Sequence, residues 1–339
     1  RGVAPKHGGD RCRTPSGVRS YDQSISESST MARNPIPASS RATLSASGSP
    51  QGFLHQTRRG FLSASLTAVG LLALPVALRP AMSASFPAVV LAFDGKALLV
   101  AGATLSRSDD GGRTRSTLSG PDGILALATH PERPGRIVAG LASGRVAISQ
   151  DGGRTWKDRA VGNGEGAVDT VIMAAGQPDM MYAAIRGDGL WKSEDAGRNW
   201  SLAMDRPWLD NAERDLRALA SVDLATGMGG IWIYAGTDTG ITRVPDCFCR
   251  WQDVQPGNAM DALVAGDAPP PEAPLPSGEP VRALVSVHTA PETLYAALPS
   301  GVWNSKDAGV VWSRLTSGDA SAVAVNPIDP EHIVAALDG

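Results

Sequence analysis

The stretch Ser149-Gln150-Asp151-Gly152-Gly153-Arg154-Thr155-Trp156 decides the fold, because it returns along the chain. Ser193-Glu194-Asp195-Ala196-Gly197-Arg198-Asn199-Trp200 and Ser305-Lys306-Asp307-Ala308-Gly309-Val310-Val311-Trp312 repeat it. A fourth copy, from Ser108 through Asp110 and Gly112 to Arg115, has Arg where the others have Trp. A fifth is decayed: Asp246 and Trp251 keep their places, while Val244 stands for the Ser and Phe248 for the Gly. The five aspartates, at 110, 151, 195, 246 and 307, are 41, 44, 51 and 61 residues apart, the period of a supersecondary unit enlarged by insertions.

The motif has the chemistry of a hairpin turn. Ser and Asp side chains accept backbone N–H bonds within the turn. Gly takes the left-handed conformation that other residues resist. Trp opens the next strand and packs its ring back on its neighbours. On this reading Ser108, Asp110, Gly112, Ser149, Asp151, Gly153, Trp156, Ser193, Asp195, Gly197, Trp200, Asp246, Trp251, Ser305, Asp307, Gly309 and Trp312 are structural, however catalytic their aspartates look.

Each motif sits in the same context. An apolar run comes first (124–129, 171–175, 283–287, 322–325), then a second strand (136–141, 180–185, 231–236, 293–298). A third strand runs into the motif, and a fourth starts at the Trp. Continuous apolar inner strands and four-stranded units at this period predict an all-β chain, a β-propeller of at least five blades with the last incomplete. Five units plus two strands, ending at Gly339, are expected not to close the ring, which suggests a C-terminally truncated propeller over residues 86–339.

The motif resembles that of the Asp-box, or BNR-repeat, propellers, a superfamily that includes sialidases, the sortilin ectodomain, xyloglucan-cleaving glycosidases and photosystem II stability/assembly factor-like proteins. The resemblance covers about residues 86–339 and implies a fold far more specifically than a function.

The 85 residues before it read differently. Residues 1–56 are rich in Ser, Arg, Pro and Gly without apolar periodicity, a composition expected to stay disordered, and Met31 is a candidate initiator. Arg58-Arg59-Gly60-Phe61-Leu62 and the apolar run to Leu78 resemble a twin-arginine export signal, with small residues near Ala81–Ala84 where a peptidase could cut. A membrane anchor over 61–78 is the alternative reading of residues 57–85, and the membrane enters only through this segment. The expected location is therefore the periplasm or the outside of the cell.

Composition narrows the rest. A net charge of −3 gives no sign of a nucleic-acid partner, and three cysteines are too few for a disulfide framework. No metal-binding motif stands out, and no cofactor is implied. Cys247 and Cys249 flank Phe248 in the decayed motif, at a separation where a bond is borderline if the segment is extended. The Pro-rich stretch 266–280 is expected to be a mobile insertion.

Propeller ligands gather where inner strands begin. The repeat alignment places Gly123, Asp169, Arg217, Arg282 and Ser321 at equivalent positions there, with the turns carrying Arg186, Asp188 and Asp238 on the same rim. Two arginines and an aspartate can bind a carboxylate, or Asp169 can simply neutralise Arg217. A glycosidase needs two carboxylates; Glu165, Asp169, Asp210, Glu213 and Asp215 are available, none in a diagnostic motif, and the charges of 210–215 read as a solvated loop between blades. The sequence thus points to an exported, non-catalytic propeller that binds a protein or glycan as a binding or assembly factor, with a secreted glycoside hydrolase, sialidase-like or xyloglucanase-like, as the alternative.

Overall fold

Apolar runs separated by Gly-containing turns specify antiparallel strands. The computed structural model describes residues 70–74, 90–227, 229–254 and 273–338, and among them it contains strands and no helix. The expectations for residues 1–69, including the leader, Met31 and the Arg58-Arg59 pair, lie outside the described residues.

The first strand, β1 (Gly70–Leu74), belongs to the last sheet; the others follow in chain order. Blade 1 holds β2 (Val90–Asp94), β3 (Ala97–Ala101), β4 (Leu105–Ser108) and β5 (Ser116–Thr117). Blade 2 holds β6 (Ile124–Thr129), β7 (Ile137–Leu141), β8 (Arg145–Ser149) and β9 (Lys157–Ala160). Blade 3 holds β10 (Val168–Ala174), β11 (Gln177–Ile185), β12 (Gly189–Ser193) and β13 (Ser201–Asp205). A short hairpin, β14 (Trp208–Leu209) with β15 (Ala212–Glu213), leads to blade 4: β16 (Ala218–Val222), β17 (Trp232–Gly236) and β18 (Ile241–Pro245). There the fourth strand shrinks to one bridge, Arg243 to Gln252. Blade 5 holds β19 (Ala283–Val287), β20 (Ala290–Leu298), β21 (Gly301–Ser305) and β22 (Ser313–Thr316). A sixth sheet holds β23 (Asp319–Val325) and β24 (Ile333–Asp338).

Burial follows position in the blade. β3, β7, β16 and β17 are buried at every residue, whereas β9 is exposed at every residue. Inner and second strands have a blade against each face, so the residues they bury are mostly apolar. The outermost strand has water on one edge and carries Lys157, Asp158 and Arg159. The chain is therefore a β-propeller of four-stranded antiparallel sheets, with the last sheet shorter.

The ring closes, contrary to the expectation from counting strands. Leu91, Phe93, Leu98 and Val100 of blade 1 share one core cluster with Ala322, Ala324, Val334 and Ala336 of the sixth sheet. On its other face the sixth sheet packs Val323, Val325 and Ile333 against Val287, Tyr295 and Val302 of blade 5. Two strands suffice because closure is made by inner strands; outer strands only widen a blade. The sixth sheet also gains a third strand, since β1 pairs antiparallel with β24 from Gly70 opposite Leu337 to Leu74 opposite Ile333. That segment comes from the apolar run read as a signal or anchor.

Four turns share one hydrogen-bond pattern. The hydroxyls of Ser108, Ser149, Ser193 and Ser305 accept the amides of Gly112, Gly153, Gly197 and Gly309 at 2.7, 2.8, 2.9 and 2.8 Å. Each donates to the following Asp carboxylate, at 2.7 to 2.9 Å. Trp156, Trp200 and Trp312 donate their indole N–H to the carbonyls of Gly153, Gly197 and Gly309. Amide and hydroxyl donors of Thr114 hold the Asp110 carboxyl down at about 2, and the amide and side chain of Asn199 do the same for Asp195. Thr155 likewise lowers Asp151.

The fifth copy departs from this. With Phe248 in place of Gly, the turn closes instead by the Phe248 amide to the Pro245 carbonyl at 2.8 Å. Trp251 donates across to the Asp205 carbonyl of blade 3, and among the described residues no amide bonds the Asp246 carboxylate. Asp246 and Trp251 are remnants in sequence, but not in geometry. The Pro-rich insertion is also partly fixed: Leu275 is buried, and the Trp312 amide donates to the Ala273 carbonyl at 2.7 Å. Its preceding residues, 255–272, lie outside the described part.

Candidate ligand-binding site at the mouth of the central cavity

The six inner strands β2, β6, β10, β16, β19 and β23 line one central cavity of about 240 Å³. At one end, where these strands begin, its wall carries Asp169, Arg217, Arg282 and Ser321. Repetition of one strand position around a ring brings these side chains together although they come from four sheets. Gly123 turns the chain before β6 and is not on the wall. None of Asp110, Asp151, Asp195 or Asp307 lines the cavity.

Asp169 does not neutralise Arg217. Its carboxylate is nearly buried and holds Arg186 in a fork, Oδ2 to Nε at 2.9 Å and Oδ1 to Nη2 at 2.6 Å. The register explains the choice: β10 and β11 place Val168 opposite Ile185, so Asp169 and Arg186 are neighbours within one blade. The pairing raises the Arg186 guanidinium further above its ordinary value. Arg282 is also compensated, by Asp319 and by the Ala320 carbonyl at 3.3 Å.

Arg217 differs. Its amide is fixed to the Gly236 carbonyl at 2.8 Å, so its backbone is anchored at the strand start. Its side chain is exposed, and among the described residues no carboxylate pairs with it. The mouth thus presents one anchored guanidinium with unused donors beside a concavity, the arrangement that suits a planar anion.

The rim around it is tightly paired. Asp215 accepts the Gly187 amide at 2.9 Å and Arg206 at 3.2 Å, and Arg206 also holds Glu213. Arg214 reaches Asp238 at 3.4 Å, leaving the buried Asp238 Oδ1 without a partner among the described residues. Asp188 accepts the Trp191 indole at 2.9 Å. Asp188 and Asp238 are rim residues that do not reach the cavity wall. Glu213, Arg214 and Asp215 are ion-paired rather than free in solvent, while Asp210 is exposed at the tip of the β14–β15 hairpin, whose Trp208 is 68% exposed. Of the carboxylates considered for hydrolysis, only Asp169 lines the cavity.

The opposite end has a floor that sequence reasoning missed. His130 follows β6 and His288 follows β19, and their rings meet edge to face with centroids 5.3 Å apart. His130 is buried; its Nδ1 accepts the Glu132 amide at 3.2 Å, and its buried Nε2 has no partner among the described residues. Burial, then the neighbouring His288, pushes the His130 imidazole below its ordinary pKa. Glu132 stands 3.7 Å from His288. The signal available was positional: each histidine directly follows an equivalent inner strand.

No protein-family model and no curated protein sequence matches the chain. Solved structures do. The GH74 enzyme of Niastella koreensis superposes with a TM-score of 0.50 at 17% identity over 79% of this chain and 42% of that one. The GH74 xyloglucanase of Xanthomonas campestris gives 0.48 at 16% over 80% and 51%, and YCF48 from Cyanidioschyzon merolae 0.47 at 14% over 77% and 83%. The chain spans roughly half or less of the length of the two GH74 enzymes, and at these identities the likeness is one of fold.

Proposed function

We propose that this propeller is an exported, non-catalytic binding module that captures a protein partner through a carboxylate seated on Arg217. The observation that carries this reading is the exposed, uncompensated guanidinium of Arg217 at the rim of a cavity whose other mouth arginines are each held by an aspartate. A bidentate carboxylate would use Arg217 donors that no carboxylate among the described residues engages. Acid–base hydrolysis of a glycosidic bond calls for two carboxylates flanking the bond, and the cavity wall offers one, committed to Arg186. Export is supported by the arginine pair and apolar run within residues 57–85.

The test uses immobilised full-length chain against peptides with free or amidated C-termini and against neutral and acidic glycans, with product analysis of every glycan. Peptides bearing free carboxylates should be retained by wild type, and Arg217→Ala should weaken retention about tenfold at unchanged melting temperature. Retention unchanged in Arg217→Ala refutes the site. Glycan shortening by wild type establishes the hydrolase instead.

A further inference from the structure

We propose that Cys247 and Cys249 form a reversible dithiol–disulfide site on the outer turn of blade 4, whose substrate class is a small or protein-borne disulfide. This goes beyond the binding role of the cavity mouth. The two Sγ atoms stand 2.9 Å apart and both residues are exposed. Covalent bonding requires a sulfur approach of about 1 Å more, to ~2.05 Å.

The turn explains the juxtaposition. In an extended strand, residues two apart have Cα atoms about 6.6 Å apart, at the upper limit for a bridge. Here Phe248 sits at φ 54°, in the left-handed region that a bulky residue avoids, and folds its two neighbours to one side. The conformation is held from both ends. The Phe248 amide bonds the Pro245 carbonyl, and its ring packs edge to face on Tyr182 of blade 3, with centroids 5.8 Å apart. The other blades close this turn with Ser, Asp and Gly; blade 4 has lost the Ser and the Gly, and a bond between its cysteines would close it covalently.

The exchange proceeds in two steps. One cysteine thiolate attacks a disulfide R–S–S–R, forming a mixed disulfide and expelling RS⁻. The second cysteine, already in contact, then attacks the first cysteine's sulfur and expels the other RS⁻. Two protein thiols are oxidised, one external disulfide is reduced to two thiols, and the protons released by the cysteines go to the leaving thiolates.

The experiment takes the full chain with Cys12→Ser, so that only these two cysteines remain. The reduced protein is incubated with glutathione disulfide, quenched by alkylation and mapped by mass. Expected are the loss of both alkylation sites with no retained glutathione, their return on adding reductant, and one stable glutathione adduct when Cys249→Ser is added. A wild-type pair that keeps one or two glutathione adducts, links two chains, or stays fully alkylated overturns the proposal.

Discussion

His130 and His288 meet ring to ring at the floor of the cavity although they belong to the second and fifth blades of a ring of six. His130 cannot carry charge there without cost. His130 is buried and its pKa is lowered, so the unfolded chain binds its proton more readily than the folded one. Stability from this group is therefore complete above about pH 6.5, its unfolded value, and is lost as the pH falls below it. Melting temperature should fall between pH 7.5 and 5, and the fall should be smaller in His130→Gln. Equal slopes in the two proteins would exclude the histidine floor as the cause.

The turn aspartates behave oppositely in range though not in sign. Asp110 and Asp195 ionise near 2 when folded against about 3.9 unfolded, so their contribution is present above pH 4 and disappears as the pH drops through 2. Asp195→Asn should melt below wild type at pH 7, and the gap should narrow on acidification towards pH 2. Scanning both proteins across that range by near-ultraviolet dichroism decides it; a gap of constant size contradicts the assignment.

Ser193 is 1% exposed and its hydroxyl accepts the Gly197 amide at 2.9 Å. Ser193→Ala leaves that amide buried and unsatisfied, which costs about 1–3 kcal/mol. Urea unfolding should register a loss in that range. Ser→Ala with no measurable loss would mean that the turn rearranges, as it does around Val244 in blade 4.

At the mouth, Asp169→Asn removes the charge that holds Arg186 and releases a second guanidinium at the same end of the cavity. Carboxylate peptides should bind more tightly to this variant, and their binding should weaken as salt is raised, since the contact is exposed. Weaker binding by Asp169→Asn would instead make Asp169 a direct ligand contact.

The boxes made the blades legible because they repeat: strands such as Ile124–Thr129, Gly189–Ser193 and Gly301–Ser305 fall where the repeat places them. Asp169, Arg217 and Arg282 share a wall for the same reason, equivalent positions in a cyclic array. What stayed hidden depends on pairing between strands. Asp169 chooses Arg186 through the β10–β11 register, and Asp319, outside the repeat alignment, claims Arg282. β1 was hidden because an apolar run looks alike as a strand, a signal or an anchor, and its pairing with β24 is a long-range contact that no local pattern announces. In the decayed box, surviving Asp and Trp letters concealed a lost geometry: Phe248 keeps the left-handed backbone, but Val244 has no hydroxyl to accept its amide, which turns to the Pro245 carbonyl.

The interface between β2 and β23 has a kinetic consequence. Each blade can form from a few dozen neighbouring residues, but Leu91 and Ala322 meet only after every blade between them exists. Contacts so remote in sequence carry a large loop-closure entropy, which places the rate-limiting step at joining the last sheet to the first. Five formed blades without that joint constitute an open crescent with two bare apolar faces, the species most exposed to association with another copy. Loosening the joint, for example by Val334→Ala, should speed unfolding more than an equal loss within a single blade.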